Sequence, residues 1–244
     1  MNRAQRSEYL RALGIDVWVP KAGLGPAARV QAAVAPPEAA AGRGPGWAEH
    51  WDALRSEVLR CTRCALHAGR TQGVFGVGNP RAEWMVIGEA PGAEEDRRGE
   101  PFVGRAGQLL DAMLRAIGLS RAENVYIANI LKSRPPNNRD PRPEEVTACL
   151  PYLRRQIELV RPRLLLAVGR IAAQNLLGTD EPLSRLRGRV HGFGELNTPL
   201  VVTYHPAYLL RSPADKRKAW EDLKFARRVF RQLTAGVTVD GHRS

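Results

Sequence analysis

Apolar residues in the middle of the chain alternate between two spacings. Short apolar runs that end in Gly, Asn or His are typical of buried strands, and apolar positions three or four residues apart are typical of helices. WMVIGEA (84–90) therefore predicts a strand, and the series Val146, Leu150, Leu153, Ile157, Val160 predicts a helix over 144–160. The other predicted strands cover 124–130, 164–169 and 199–206, and the other predicted helices cover 105–117, 170–178 and about 212–233.

Prolines mark two points in these helices. Pro151 should kink or restart its helix, because proline lacks an N–H and its ring clashes with the preceding turn. Ser212-Pro213 predicts an N-cap followed by the first residue of the last helix. The buried stripe of that helix is predicted to be Trp220, Leu223, Ala226, Phe230 and Leu233.

Regular alternation of strands and helices predicts an α/β fold, a three-layer α/β/α sandwich around a central, mainly parallel four-stranded sheet. Ligands of such sheets bind beyond the carboxyl ends of the strands. We therefore expect the functional residues at 88–92, 129–133, 169–170 and 205–206.

Composition divides the chain into segments. Ala, Gly and Pro fill 18 of the 26 positions in 21–46, which predicts a flexible linker, because such a stretch buries too little surface to offset its chain entropy. Residues 1–20 are too few to fold alone and could dock on the main domain or on a protein partner. The main domain is predicted at 47–233, followed by a tail at 234–244.

The net charge of the 244-residue chain is +12, which indicates either a polyanionic partner, most simply nucleic acid, or a solvated arginine-rich surface. Eight cations against three acids in 205–233 predict salt-sensitive phosphate binding. Three cysteines argue against a secreted disulfide scaffold. We expect no membrane association and an intracellular location, because neither a long apolar run nor a signal peptide is present.

Several residues at the strand ends have two interpretations. The acids after the first strand either belong to a solvated loop or are carboxylates that orient water. The chain has neither a G-x-G-x-x-G nor a P-loop pattern after that strand, which argues against a nucleotide-binding site. Phe102 is either core or a platform for a planar base, and Asn129 either caps a turn or reads a base edge. His205 is either structural or a donor to a developing anion.

Cysteine spacing adds a candidate metal site. Cys61 and Cys64 form a C-x2-C pair, which is typical of zinc, iron–sulfur or redox sites. Cys149 is either a third ligand brought in by folding or a free buried thiol. A fourth cysteine is absent from the chain.

Four motifs, in this order and downstream of C-x2-C, carry a family resemblance. GEAPGAEED, PFVGRAGQLLDAML, YIANILKSRPPNNRDP and HPAYLLR resemble the family 4 uracil-DNA glycosylases, iron–sulfur enzymes of the uracil-DNA glycosylase superfamily, over about 55–232. The resemblance implies a base-excision-repair enzyme of the bacterial cytoplasm and nucleoid, and we expect it to be a monomer. It would flip uracil out of DNA and hydrolyse its N-glycosidic bond, leaving an abasic site.

The resemblance also implies residue roles. Glu89 and His205 would be catalytic, and Gly88, Ala90, Glu95, Phe102 and Asn129 would bind the uracil and water. Leu209 would be the wedge that fills the vacated stack, and Arg211 would contact phosphate. Ala90 stands where the best-known branch has Asp, so a dissociative mechanism is expected.

The family's [4Fe–4S] cluster would be held by Cys61, Cys64, Cys149 and the residue at position 133. Position 133 is Ser133 here, and thiolate is the usual ligand of iron. The cluster is therefore expected to be bound but weakened, with a [3Fe–4S] form or loss of the cluster as alternatives.

Two rival functions remain. One is a non-catalytic DNA-binding or repair-scaffold module that kept the fold, suggested by Ser133 and the added N-terminal segment. The other is the DNA-crosslinking relative of the family, which carries a reactive His in an extra basic loop. The corresponding loop here is RPPNNRD, without His, and argues against it.

Overall fold

The computed structural model describes residues 46–236. The predictions for 1–20, for the linker up to residue 45 and for the tail from 237 onward lie outside the described residues. The helices are α1 (Trp47–Leu59), α2 (Ala93–Arg98), α3 (Arg105–Ala116), α4 (Pro143–Val160), α5 (Arg170–Leu177), α6 (Leu183–Leu186), α7 (Pro206–Arg211) and α8 (Lys216–Thr234). The strands are β1 (Val77–Gly78), β2 (Trp84–Gly88), β3 (Val125–Asn129), β4 (Leu164–Val168), β5 (His191–Phe193) and β6 (Thr198–Thr203).

The strands form one sheet in the order β1-β3-β2-β4-β6-β5. The four central strands run parallel, with Gly88 of β2 paired to Asn129 of β3 and Val168 of β4 paired to Thr203 of β6. Short antiparallel strands β1 and β5 extend the two edges. The α/β sandwich is confirmed, and the predicted count of four strands is corrected to six.

Side chains of the central strands alternate between two helical layers, because successive residues of a strand point to opposite faces. On β2, Met85 and Ile87 pack with α4 and α5, whereas Trp84 and Val86 pack with α3 and α8. Both faces are buried, as expected for a parallel sheet covered on each side. This packing fixes the carboxyl ends of β2, β3, β4 and β6 along one edge of the sheet.

The helix boundaries correct two predictions about proline. Helix α4 continues through Pro151, which is exposed, so the helix does not restart there. The last helix begins at Lys216 rather than at Pro213, because Pro213–Asp215 form a separate 3-10 turn. Ser212 makes no side-chain cap there.

Helix α8 buries most of the stripe that the sequence pattern predicted, and Trp220 is the exception. Leu223, Ala226 and Leu233 are buried and Phe230 packs against the core, but Trp220 is 40% exposed. Buried Asp222 fixes the phase of the helix. It accepts hydrogen bonds from Arg187 Nε at 2.6 Å and Nη2 at 2.9 Å, and from Thr203 Oγ1 at 3.0 Å. These bonds tie α8 to the end of β6, immediately before His205. Between residues 46 and 236, no helix has the length and apolarity needed to cross a membrane.

Candidate active site at the carboxyl edge of the sheet

Gly88, at the end of β2, is the point where an aromatic ring and an amide meet. A β-carbon at Gly88 would lie 2.5 Å from Asn129 Oδ1 and 2.7 Å from the ring of Phe102, so only glycine leaves room for both. Asn129 is 2% exposed, and its Oδ1 accepts no hydrogen bond from any residue in 46–236. A buried acceptor without a partner in the protein can accept a hydrogen bond from a ligand.

The backbone of Phe102 is held in a conformation that large residues rarely adopt. Its φ is 55°, in the left-handed region, where a side chain with a β-carbon is strained. Arg121 donates to the carbonyl of Phe102 at 2.9 Å, and Gly107 leaves the space into which that carbonyl projects. The strain is maintained by neighbouring contacts, and it places the ring 5.5 Å from the imidazole of His205, tilted by 32°.

Glu95 supports the loop that carries Phe102. Its Oε1 accepts hydrogen bonds from the backbone N–H of Val103 at 3.1 Å and of Gly104 at 3.3 Å. The resemblance implied that Glu95 binds substrate or water. In the structure, Oε1 of this carboxylate is used to position the Phe102 loop.

His205 follows β6 and caps the first turn of α7. Its Nδ1 accepts a hydrogen bond from the N–H of Ala207 at 3.1 Å, so a neutral ring carries its proton on Nε2. Burial lowers the pKa of His205 to about 4, the positive charge of Arg211 adds to the lowering, and Glu95 opposes it. At neutral pH, His205 is therefore an uncharged hydrogen-bond donor through Nε2.

Glu89 lies immediately beyond β2 and is half-buried. Burial raises its pKa to about 7; the charge of Asp140 acts in the same direction, and Arg170 opposes it. Arg170 Nη2 also pairs with Asp140 Oδ2 at 2.8 Å. Glu89 can therefore exchange a proton near neutral pH, which suits a group that handles water.

The segment after His205 corrects one assignment. Leu209 is 1% exposed in the core, whereas its neighbour Leu210 is 36% exposed. Leu209 therefore does not offer a wedge to DNA in this conformation, because the phase of α7 turns it inward, and Leu210 is the leucine on the surface. Arg211 is exposed at the end of α7, and Ala90 is half-buried beside Glu89.

Cys61 and Cys64, after α1, lie near the thiol of Cys149 in α4, and Arg70 links Ser133 to the same segment. Burial raises the pKa of the Cys149 thiol, Lys132 opposes that rise, and the nearby Cys64 and Cys61 add to it. Ser133 is buried, and its Oγ accepts a hydrogen bond from Arg70 at 2.7 Å. In the part of the chain from 46 to 236, no three His, Cys, Asp or Glu side chains converge on one point where a single metal ion could bind.

Some residues that shape the site were predicted only by their position in the chain or not at all. Gly169, with a φ of 98°, ends β4 where a β-carbon would lie 2.9 Å from that of His205. Arg121 and Gly107 hold Phe102, and the Asp140–Arg170 pair faces Glu89. The only sequence signal for Gly169 was its place at a strand end. The contacts of Arg121 with Phe102 and of Arg170 with Asp140 join positions 19 and 30 residues apart, which no local pattern indicates.

Comparison with known proteins places this site in a family. The Uracil DNA glycosylase superfamily matches residues 75–224. A Type-4 uracil-DNA glycosylase of Archaeoglobus fulgidus is 46% identical over 182 residues, which are 72% of this chain and 91% of that protein. One from Thermotoga maritima is 40% identical, covering 75% of this chain and 96% of that protein. A Type-5 uracil-DNA glycosylase of Thermus thermophilus is 36% identical over 43% of this chain and 53% of that protein.

The lowered pKa of His205 predicts a pH-dependent contribution to stability. The unfolded state takes up the proton near pH 6.5 and the folded state only near 4. The contribution is complete above pH 6.5, and about 3 kcal/mol of unfolding free energy is lost as the pH falls through this window. His205→Asn cannot titrate, so its unfolding free energy relative to wild type should shift by that amount between pH 7 and 4 in urea denaturation. A constant difference would contradict the buried, neutral imidazole.

Proposed function

This chain belongs to the uracil-DNA glycosylase superfamily, and we propose that the residues gathered at the edge of the sheet are its catalytic machinery. The protein is a uracil-DNA glycosylase: it takes uracil out of the DNA stack and hydrolyses the bond between uracil and deoxyribose, leaving an abasic site. The observation that carries the site assignment is the buried, unpartnered Oδ1 of Asn129 beside the ring of Phe102. Nothing favours the non-catalytic scaffold.

We propose that the flipped base stacks on Phe102 and is read by Asn129. Asn129 Oδ1 would accept the N3–H of uracil, and its amide N–H would donate to O4. Cytosine presents an acceptor at N3 and a donor amine at C4, so both bonds would be lost with it. An unpaired buried acceptor costs about 1–3 kcal/mol, which supports discrimination by this one side chain.

His205 would stabilise the leaving group. Cleavage of the bond leaves the electron pair on uracil, and the negative charge spreads to O2. The Nε2–H of the neutral imidazole would donate a hydrogen bond to O2, and the ring would not have to change its protonation state to do so. A preorganised donor of this kind contributes about 2.7–4 kcal/mol to the transition state.

Glu89 would act on the opposite side of the broken bond. Its carboxylate would stabilise the positive charge on the sugar and accept a proton from the water that adds to C1′. Ala90 offers no base, so breaking of the bond would run ahead of water attack. Burial would hold the pKa of Glu89 close to neutrality, with Asp140 adding to the rise and Arg170 opposing it.

At the surface, Leu210 and Arg211 would contact the DNA. We propose that Leu210, rather than Leu209, enters the gap left by the flipped base, because it is the exposed leucine of α7. Arg211 would neutralise a phosphate on the same side of the site. Its charge would thus serve DNA binding and also help to keep His205 neutral.

We propose that Cys61, Cys64 and Cys149 hold an iron–sulfur cluster, with position 133 at its fourth corner. The donor set fits three irons, because Ser133 supplies a hydroxyl that is already bonded to Arg70. Such a cluster would have a structural role, joining the segment after α1 to the start of α4, and no step of the hydrolysis needs it.

The remaining assignments are also proposals. The +12 net charge and the exposed Arg211 support a DNA partner. We propose a monomer that acts on DNA in the bacterial cytoplasm, associated with the nucleoid. Residues 1–20 would contact a protein partner. In the chain they would be followed by the flexible linker at 21–46, the catalytic domain at 47–233 and the tail at 234–244.

Excision of uracil tests the catalytic assignment. The purified protein should release uracil from a labelled single-stranded oligonucleotide, detected as alkali-sensitive sites. His205→Ala should slow excision by about 100- to 1000-fold through loss of the donor to O2. His191→Ala, on the edge strand β5, is the matched control and should keep wild-type activity. If the folded wild-type protein does not excise uracil, the catalytic assignment is wrong and the non-catalytic scaffold is the remaining function.

The pH profile tests Glu89. Because the ionised carboxylate is the active form, kcat/KM should rise with pH and level off above the pKa of about 7. Glu89→Gln should have lower activity and lack this rise. A rise of the same shape in Glu89→Gln would assign the titration to another group.

Iron content tests the fourth corner of the cluster. Ser133→Cys should hold about four irons per chain, whereas the wild type should hold fewer and lose its visible absorbance sooner in air. Cys149→Ala is the control and should lose the cluster. Equal iron content and equal air stability of wild type and Ser133→Cys would show that the hydroxyl serves as well as a thiolate.

A further inference from the structure

An exposed tryptophan surrounded by cations lies on α8, outside the site described above. Trp220 is 40% exposed, and large aromatic side chains are normally buried or placed at interfaces. The side chains that share its face follow the three- and four-residue spacing of a helix, while Leu223, Ala226 and Val229 pack in the core. We call this face the α8 stripe; it consists of Lys216, Arg217, Trp220, Lys224, Arg227 and Arg231.

Most charges of the α8 stripe are uncompensated. Lys224 pairs with Glu221 at 2.9 Å, and its Nζ lies 5.9 Å from the centre of the Trp220 ring. The other four cations of the stripe form no ion pair with any residue in 46–236. An aromatic ring within a row of cations is the combination by which proteins bind single-stranded nucleic acid, through stacked bases and neutralised phosphates.

The α8 stripe begins near the proposed active site. Helix α7 starts directly after His205, and Tyr208 of α7 donates to Asp215 Oδ2 at 2.6 Å, just before Lys216. At the other end of α8, Phe230 packs on Trp84, at the opposite edge of the sheet. From Lys216 to Arg231 the helix rises about 22 Å, which is room for about six nucleotides at duplex spacing.

Charge decides between possible occupants. A second copy of this chain would bring cations against cations, and an apolar protein surface would leave the cations of the stripe desolvated without partners. A polyanion that is continuous with the substrate meets neither obstacle. We propose that the α8 stripe binds the single-stranded DNA that flanks the uracil, with one base stacked on Trp220 and its phosphates on the surrounding lysines and arginines.

This inference rests on the proposed function, and uracil excision from long and short substrates tests it. On a single-stranded 20-mer, Trp220→Ala should raise KM about five- to tenfold and leave kcat within twofold, because stacking away from the reacting bond affects binding alone. On a 5-mer, its kinetics should match those of wild type. Trp220→Phe should keep most of the long-substrate affinity, because phenylalanine can still stack. Two further 20-mers carry uracil near the 5′ end or near the 3′ end. Trp220→Ala should raise KM for only one of them, because the α8 stripe lies on one side of the active site.

Matched controls separate the stripe from net charge and from loss of an apolar surface residue. Arg227→Ala should weaken binding of the 20-mer, whereas Arg154→Ala, an exposed arginine on α4, removes the same charge and should not. Leu196→Ala, an exposed apolar residue outside α8, should behave as wild type. If Arg227→Ala and Arg154→Ala weaken binding of the 20-mer equally, only the net charge of the protein matters, and the proposal is wrong.

Binding of uracil-free (dT)20 provides a readout that does not depend on excision. Trp220→Ala should raise its Kd about five- to tenfold, measured by fluorescence anisotropy of the labelled oligonucleotide with the full chain. If excision fails in every variant but this Kd still shifts, the proposed function is wrong and the surface assignment stands. If wild type excises uracil and neither KM nor Kd changes in Trp220→Ala, the face has another occupant and the proposal is wrong.

Discussion

The site depends on backbone that comes too close for a β-carbon. At Gly88 the ring of Phe102 and the amide of Asn129 occupy the space where a side chain would begin, and Gly169 gives the same clearance to His205. Parallel strands bring these positions to one edge of the sheet, and glycine allows the side chains of Phe102, Asn129 and His205 to approach the strand ends closely. Any larger residue at Gly88 would displace the two groups proposed to recognise the base.

Burial creates the chemistry of the site and also lowers its stability. Asn129 Oδ1 has no partner, Phe102 has a strained φ, and burial drives the pKa of His205 down to about 4 and that of Glu89 up to about 7. Each of these features is unfavourable to folding. The apolar layers on both faces of the sheet compensate for them. A bound uracil would donate a hydrogen bond to the unpartnered acceptor. The free energy that this atom costs in folding would therefore be partly recovered on binding, and only for a base that has a donor at that position.

The sequence pattern predicted what depends on long, regular repeats. The four central strands, α3, α4, α5 and α8 were predictable, whereas β1, β5 and the short helix α7 were not, because two to six residues hold too little periodicity. Phe102, Asn129 and His205 could be selected by motif. The exposure of Leu210 and Trp220 could not, because the phase of each helix is set by contacts such as Asp222 with Arg187, which join segments distant in sequence.

The segments around Ser133 are joined by hydrogen bonds rather than by a thiolate. Arg70 donates to Ser133 Oγ and to the carbonyls of Leu59 and Cys61, so one guanidinium joins the end of α1 to the loop after β3. A cluster bridging the same segments would restrain them in a similar way. Next to Ser133, buried Lys132 donates to the carbonyl of Asn129 at 2.8 Å and to Gln156 at 2.6 Å. The position of Asn129 is therefore supported by hydrogen bonds within the protein that do not involve Ser133.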